Sequence, residues 1–271
     1  LLGMGNPPTK AWKALVKQMG VMMYLKYLNK ISRENALDMD LMEQKLTVSN
    51  LKKAKVFPFR LYTAYKHIAG DVSMEVRNYL ADVLNNYVTE YDWGKWDKKI
   101  VIAPDTSGSM GGGWGYSWGK GPIPAVIAGM LSGIIYKGVK SSMLLPWGSE
   151  ICTNIVRPRG DSVLSHIESI ENCRGGGTNM GAPVEHMLRN KIKCDLFILV
   201  TDSEDWQSRG WITNWIKYRK QNKNAKAVLI RVVESNHTNP YSEEQAEKYG
   251  IYQVYGWNDN VLKYIDQVVL D

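Results

Sequence analysis

Asp105, Ser107 and Ser109 alternate within the stretch 98–110, which reads KKIVIAPDTSGSM. In an extended or tightly turning loop, alternate side chains point the same way, so one carboxylate and two hydroxyls converge on one small volume. Hard oxygen donors of this kind suit Mg²⁺ or Mn²⁺. Two later stretches offer more oxygens. Gly175 to Asn179 (GGGTN) is a loop whose glycines allow close backbone approach and leave Thr178 to point inward. Asp195 to Asp202 (DLFILVTD) reads as a buried strand with Asp202 just past its end. Asp105, Ser107, Ser109, Thr178 and Asp202, some of them through water, approach the six oxygens of an octahedral shell and leave a position for a partner. The competing reading is that Asp105 and the serines cap the following helix, a role that Asp and Ser fill well. The two roles are compatible.

An Asp-x-Ser-x-Ser run at the end of a first strand, a Thr in a glycine loop and an Asp after a later strand together resemble the metal-ion-dependent adhesion site of von Willebrand factor A domains. That resemblance implies a divalent cation held by these five residues and completed by an acidic residue of a protein partner. Ser203, Glu204 and Asp205 follow Asp202, but their ordinary role is to start the next helix, where anions are favoured.

The elements that must position these groups follow from the alternation of apolar runs. From residue 96 onward strands and helices alternate, which predicts an α/β domain, 96–271, with a doubly wound, mostly parallel sheet and helices on both faces. Expected strands include Ile100 to Ala103, Leu196 to Val200, Ala227 to Val233 and Ile251 to Val254. Ser142 to Trp147 and Ile151 to Val156 read as an antiparallel-type pair turning at Gly148. Helices are expected at Ile123 to Tyr136, Ser162 to Ile170, Met180 to Arg189, Trp211 to Gln221 and Asn260 to Val269. In such sheets ligands bind beyond the carboxyl ends of the strands, where Asp105, Thr178 and Asp202 would meet. The insertion after Met110, with Trp114, Tyr116 and Trp118, is either a contact surface over the metal or a loop folded onto the domain.

Residues 7–91 carry helix signals and almost no strand signals. Trp12, Leu15, Val16, Met19, Met22 and Met23 fall at spacings of three and four, which predicts one helix from Thr9 to Leu28. Further helices are expected at Arg33 to Lys45, Ser49 to Lys55, Pro58 to Ile68 and Ser73 to Tyr91, joined by short turns as in a stacked-helix solenoid. Lys10, Lys13, Lys17, Lys52, Lys53, Lys55 and Arg60 lie in this half with Trp12, Tyr24, Tyr27, Tyr62 and Tyr65 between them. Such interleaving suits phosphate contact and base stacking, or else solvated helix faces with aromatic staples.

The stretch AKVFPFRLYTA (Ala54 to Ala64), the opening LLGMGNPPTKAWKALVKQMG and the A-type domain that follows resemble the TROVE family, that of the Ro 60 kDa autoantigen. Lys55, Val56, Phe57, Pro58, Phe59 and Arg60 match a short element typical of that family. The resemblance implies a HEAT-like helical-repeat segment at 1–95 that binds small structured RNAs or RNAs with single-stranded ends, in a ribonucleoprotein setting. A complete family ring needs more helix than this segment holds. Either helices precede residue 1, as the missing initiator Met suggests, or the segment is an open arc.

Composition bounds these readings. The chain has 271 residues, is 44% hydrophobic and 23% charged, and is therefore globular rather than disordered. Its formal charge of +7 suits an anionic partner or simply solubility. Cys152, Cys173 and Cys194 show no CxxC pairing, and His67, His166, His186 and His237 show no zinc or triad spacing. No segment approaches the ~18 apolar residues of a membrane span, and the opening lacks a signal-peptide pattern. A reducing, cytoplasmic setting is expected, without membrane partners. Three functions are compatible: an RNA-binding module whose A domain docks a partner through metal, a metal-dependent protein-binding module without RNA, and a metal hydrolase. Against the last, no general base, nucleophile dyad or phosphate-binding P-loop accompanies the acids.

Overall fold

The computed structural model describes residues 8–68, 72–111, 123–173, 176–203, 210–233, 241–256 and 259–270. Trp114, Tyr116, Trp118, Gly175, Glu204, Asp205, His237 and the opening 1–7 lie outside them. The chain divides into two compact units, Leu1–Asp92 and Trp93–Asp271.

In the first unit the described residues form six helices: α1 (Thr9–Gln18), α2 (Val21–Arg33), α3 (Met39–Lys45), α4 (Val48–Lys53), α5 (Pro58–His67) and α6 (Met74–Glu90). The single helix expected over Thr9 to Leu28 is two. Met19 and Gly20 adopt extended backbone, and Gly20 serves as N-cap of α2. The helix expected over Arg33 to Lys45 is likewise interrupted, because Asn35 takes a left-handed conformation (φ 52°) and Asp38 restarts the chain by capping the Leu41 amide at 3.1 Å. Pro58 sits in the first turn of α5, where its missing N–H costs nothing. The apolar stripe of α6, Val76, Leu80, Val83, Leu84 and Val88, is buried, and the Tyr87 hydroxyl donates to the Val56 carbonyl inside the unit.

The second unit is a five-stranded, all-parallel sheet with the order β2-β1-β3-β4-β5. Its strands are β1 (Ile100–Pro104), β2 (Ser142–Leu144), β3 (Leu196–Thr201), β4 (Lys226–Arg231) and β5 (Ile251–Tyr255). Every residue of β1 and β3 is buried, which is why both read as unbroken apolar runs. Helices α7 (Pro124–Gly138), α8 (Val163–Glu171), α9 (Ala182–Arg189), α10 (Trp211–Gln221), α11 (Glu243–Tyr249) and α12 (Asp259–Tyr264) cover it, the last running into a π-helical turn at Ile265–Val269.

The antiparallel pair expected over Ser142 to Trp147 and Ile151 to Val156 is not there. Only Ser142–Leu144 is a strand, parallel to β1. A single antiparallel bridge joins Trp147 to Ile151, and Thr153–Ile155 is a 3-10 turn. The chain folds back on itself at 147–151, with the Gly148 amide donating to the Glu150 carbonyl at 2.9 Å, instead of extending the sheet.

Candidate metal centre

The central pair β1 and β3 sets the site. They run in register from Ile100 opposite Leu196 to Pro104 opposite Val200, and the Asp105 amide continues the ladder by donating to the Val200 carbonyl at 2.8 Å. Asp105 thus leaves the sheet beside the end of β3, and Asp202 leaves it one residue past that end. Both carboxylates are buried, at 0% and 1% exposure.

The loop after Asp105 is fixed from both sides. The Ser107 amide donates to Asp105 Oδ1 at 2.8 Å, and Thr201 Oγ1 donates to Asp105 Oδ2 at 2.6 Å. Thr106 turns the other way, its amide and its hydroxyl both donating to the Trp147 carbonyl (2.7 and 2.9 Å). That leaves the hydroxyls of Ser107 and Ser109 side by side, 3.2 Å apart. Ser107 is buried and Ser109 half-buried.

The glycine loop is tied to this one by backbone, the Gly108 amide donating to the Gly176 carbonyl at 3.3 Å. Gly176 has φ +79°, a conformation that glycine adopts without strain. Ser149 Oγ accepts from the Gly177 amide at 2.8 Å, and the Gly148 carbonyl accepts from the Asn179 amide at 3.0 Å. Thr178, held between these two bonds, is buried. The five residues singled out by type and spacing therefore all lie on the loops beyond the carboxyl end of the sheet. Thr201 and Ser149, which orient them, were not singled out. A Thr one residue before Asp202 at a strand end is the only signal for the first, and nothing in the spacing marks the second.

The electrostatics are those of two buried acids side by side. Burial, then the neighbouring Asp202, push the Asp105 carboxyl up to about 7, against the pull of its bonds from Ser107 and Thr201. The donor set is hard and oxygen-only, and among the described residues no three His, Cys, Asp or Glu side chains gather at one point. Adjacent oxygens around one octahedral Mg²⁺ lie about 3 Å apart, as two ligands ~2.1 Å from a common ion must. The Ser107 and Ser109 hydroxyls match that spacing. The residues present fit a small divalent cation.

In the helical unit Lys10, Lys13, Lys17, Lys52, Lys53, Lys55 and Arg60 are all exposed. Lys10, Lys13 and Lys17 belong to α1. Lys52 and Lys53 end α4, and Lys55 follows it in a left-handed conformation (φ 51°). Lys52 pairs with Glu90 at 3.4 Å. Of the aromatic residues between them, Trp12, Tyr24 and Tyr62 are buried and act as staples of the helical core, while Tyr27 and Tyr65 are half-buried. No helix among the described residues is long and apolar enough to cross a membrane.

A family model described as the Ro60 vWA domain matches residues 99–269. No curated protein matches the chain. Among solved structures, the fold is similar to that of the Ro (Rsr) protein of Deinococcus radiodurans, with a TM-score of 0.73 at 16% identity over 96% of this chain and 55% of that one. The chain spans about half the length of that protein, and at such identity the likeness speaks for the fold alone. The family model covers well over half of the residues, from the first strand to the last helical turn, and on that ground the chain belongs to the TROVE, or Ro60, family through its Ro60 vWA domain.

Proposed function

We propose that this chain is a non-catalytic, RNA-binding protein of Ro type, acting in the cytoplasm as part of a ribonucleoprotein. The helical unit contacts a small structured RNA or an RNA with a single-stranded end, and the A domain holds Mg²⁺ or Mn²⁺ to dock a protein partner. The observation that carries this reading is the match of the Ro60 vWA model to residues 99–269.

On the RNA side, seven exposed cations on the helical unit offer phosphate contacts. The exposed Lys52–Glu90 pair is of the weak, screened kind, so Lys52 exchanges its partner for a phosphate at little cost. With Trp12, Tyr24 and Tyr62 buried, stacking falls to Tyr27 and Tyr65, and recognition rests mainly on backbone charge.

On the metal side, Asp105, Ser107, Ser109, Thr178 and Asp202 would hold the ion, which when bound supplies a Lewis-acidic position for a partner's Asp or Glu. The protein's own contribution is orientation. Thr201 fixes one Asp105 oxygen, the Ser107 amide fixes the other, and Trp147 holds Thr106 out of the way. Hydroxyl donors beside two acids support binding over hydrolysis.

The test has two arms. Calorimetry with Mn²⁺ should show one site in the wild type that Asp105→Ala removes. Lys10, Lys13 and Lys17 all replaced by Glu should weaken RNA binding at least tenfold without changing Mn²⁺ uptake. Equal RNA affinity in the two proteins would contradict the RNA assignment, and unchanged Mn²⁺ uptake by Asp105→Ala would contradict the metal assignment.

A further inference from the structure

The metal loops lie beyond the carboxyl ends of the strands, whereas the turns 190–195 and 222–225 lead into β3 and β4 at their amino ends. These turns and the helices before them carry charge of one sign. The sequence holds no Asp or Glu between Glu185 and Asp195, nor between Asp205 and Glu234. The fold sets the two acid-free stretches side by side, since α9 packs on α10 and β3 pairs with β4. Arg189, Lys191, Lys193, Lys220 and Lys223 are all exposed there.

Hydrogen bonds hold these segments to one another. Tyr218 of α10 is buried, and its hydroxyl donates to the Ile192 carbonyl at 3.1 Å while accepting from the Cys194 amide at 2.8 Å. Lys191 and Lys193 flank that anchor and so sit against the end of α10, which carries Lys220. The Lys226 amide donates to the Asp195 carbonyl at 2.9 Å, which ties the turn holding Lys223 to the same edge. Arg189 and Lys220 have a local explanation, because the dipole of a helix favours a cation in its last turn. Lys193 and Lys223 stand past the helix ends, and Lys191 takes a left-handed conformation (φ 53°) at a position that glycine fills more easily. Among the described residues Arg189 pairs with Glu185, whereas Lys191, Lys193, Lys220 and Lys223 enter no ion pair. Asp195, the acid that borders the group, is exposed and accepts from the Lys99 amide at 2.9 Å.

We infer that this amino-end face of the A domain is a second RNA contact surface, on which Lys191, Lys193, Lys220 and Lys223 hold the phosphate backbone of a duplex segment. The inference rests on the reading of the chain as an RNA-binding protein and adds the A domain to the helical unit as a place where RNA is held. Charge decides the class of partner. Among the described residues, no exposed large apolar side chain belongs to α9, α10 or the turns that follow them. A protein partner would find no anchor to bury there, whereas a phosphate backbone needs only cations. Trp215 and Tyr218 are buried and offer no stacking platform, so the contact follows the backbone and not the base sequence. The metal loops stand at the other end of the sheet, and a partner docked on them leaves this face open.

The experiment titrates a fluorescent RNA hairpin over a range of salt against the full chain and against a variant with Lys191, Lys193, Lys220 and Lys223 all replaced by Gln. The variant should bind at least tenfold more weakly at low salt, with the slope of log affinity against log salt shallower by about 3 to 4, since each lost phosphate contact on a duplex removes about 0.9. Its melting temperature and Mn²⁺ uptake should match the wild type, and the same four residues replaced by Arg should keep wild-type affinity. Acetylation footprinting of the unaltered chain should show these four lysines protected by the hairpin, a readout that needs no variant. Wild-type binding with affinity and slope unchanged in the Gln variant, and no protection, would overturn the surface while leaving the helical unit's assignment standing. Loss of polyglutamate binding in that variant, with RNA binding intact, would overturn it in favour of an acidic protein. A wild-type chain that binds no RNA would overturn the RNA reading and this surface with it.

Discussion

Thr201 donates to the Oδ2 of Asp105 at 2.6 Å, across the two central strands, with both side chains fully buried. This bond supports the charged form of a carboxylate whose surroundings otherwise favour its protonation. Thr201→Val keeps the shape and removes the donor. It should cost about 1–3 kcal/mol in stability, because a buried acceptor loses its partner. It should also weaken Mn²⁺ binding several-fold at pH 7, by making Asp105 harder to ionise. Denaturant unfolding and calorimetry on the same variant check both. Unchanged metal affinity would show that Thr201 does not tune the site.

The pH response follows from the same carboxyl. Folded, it holds its proton to about 7, against 3.8 for a free aspartate. Between those values the folded metal-free chain binds more protons than the unfolded one, so this group's contribution to stability is complete below 3.8 and fades as pH rises through 7. A divalent cation needs the ionised form and competes with that proton. The gain in melting temperature from Mg²⁺ over chelator should therefore grow from pH 5 to pH 8. A gain that stays flat over that range would separate the metal from Asp105.

Asp105→Asn separates charge from shape. Replacing one of two buried, mutually repelling acids by a neutral isostere relieves the repulsion from Asp202. The variant should melt higher than the wild type in chelator and show no response to Mg²⁺. A variant that melts lower in chelator would mean that Asp105 is primarily a cap for the loop that follows.

Part of this arrangement is written in the sequence and part is not. The gathering of Asp105, Ser107, Ser109, Thr178 and Asp202 beyond one end of the sheet was legible because the strands that carry the acids are unbroken apolar runs. Thr201 and Ser149 were not, because a hydroxyl that orients another side chain looks in sequence like any other hydroxyl. The fold-back at 147–151 was misread as a hairpin. Apolar residues on both sides of a glycine give the same pattern whether they extend a sheet or, as here, form one bridge. In the helical unit the apolar periodicity crossed Gly20 without interruption, so the break between α1 and α2 was invisible to spacing and is set by extended backbone at Met19 and Gly20.

Close packing in the A domain makes a separate prediction. A Cβ at Gly133, in α7, would stand 2.7 Å from Ile167 Cγ1 and 3.0 Å from the Ile167 amide nitrogen of α8. Backbone cannot yield as a flexible side chain does, so Gly133→Ala should destabilise the chain by about 1–3 kcal/mol. Mn²⁺ affinity in the folded protein should be unchanged. A neutral substitution would mean that α7 and α8 slide apart freely.

The most direct test of the central claim is binding of a fluorescent structured RNA with a single-stranded tail, titrated at several salt concentrations, with Mg²⁺ or with chelator. The account predicts sub-micromolar binding at low salt, with affinity falling steeply as salt rises because phosphate contacts release counterions. It also predicts that chelator leaves this binding in place, since RNA sits on the helical unit and the metal serves a protein partner. Absence of binding at low salt would contradict the RNA assignment and favour the alternative reading, a metal-dependent protein-binding module without RNA.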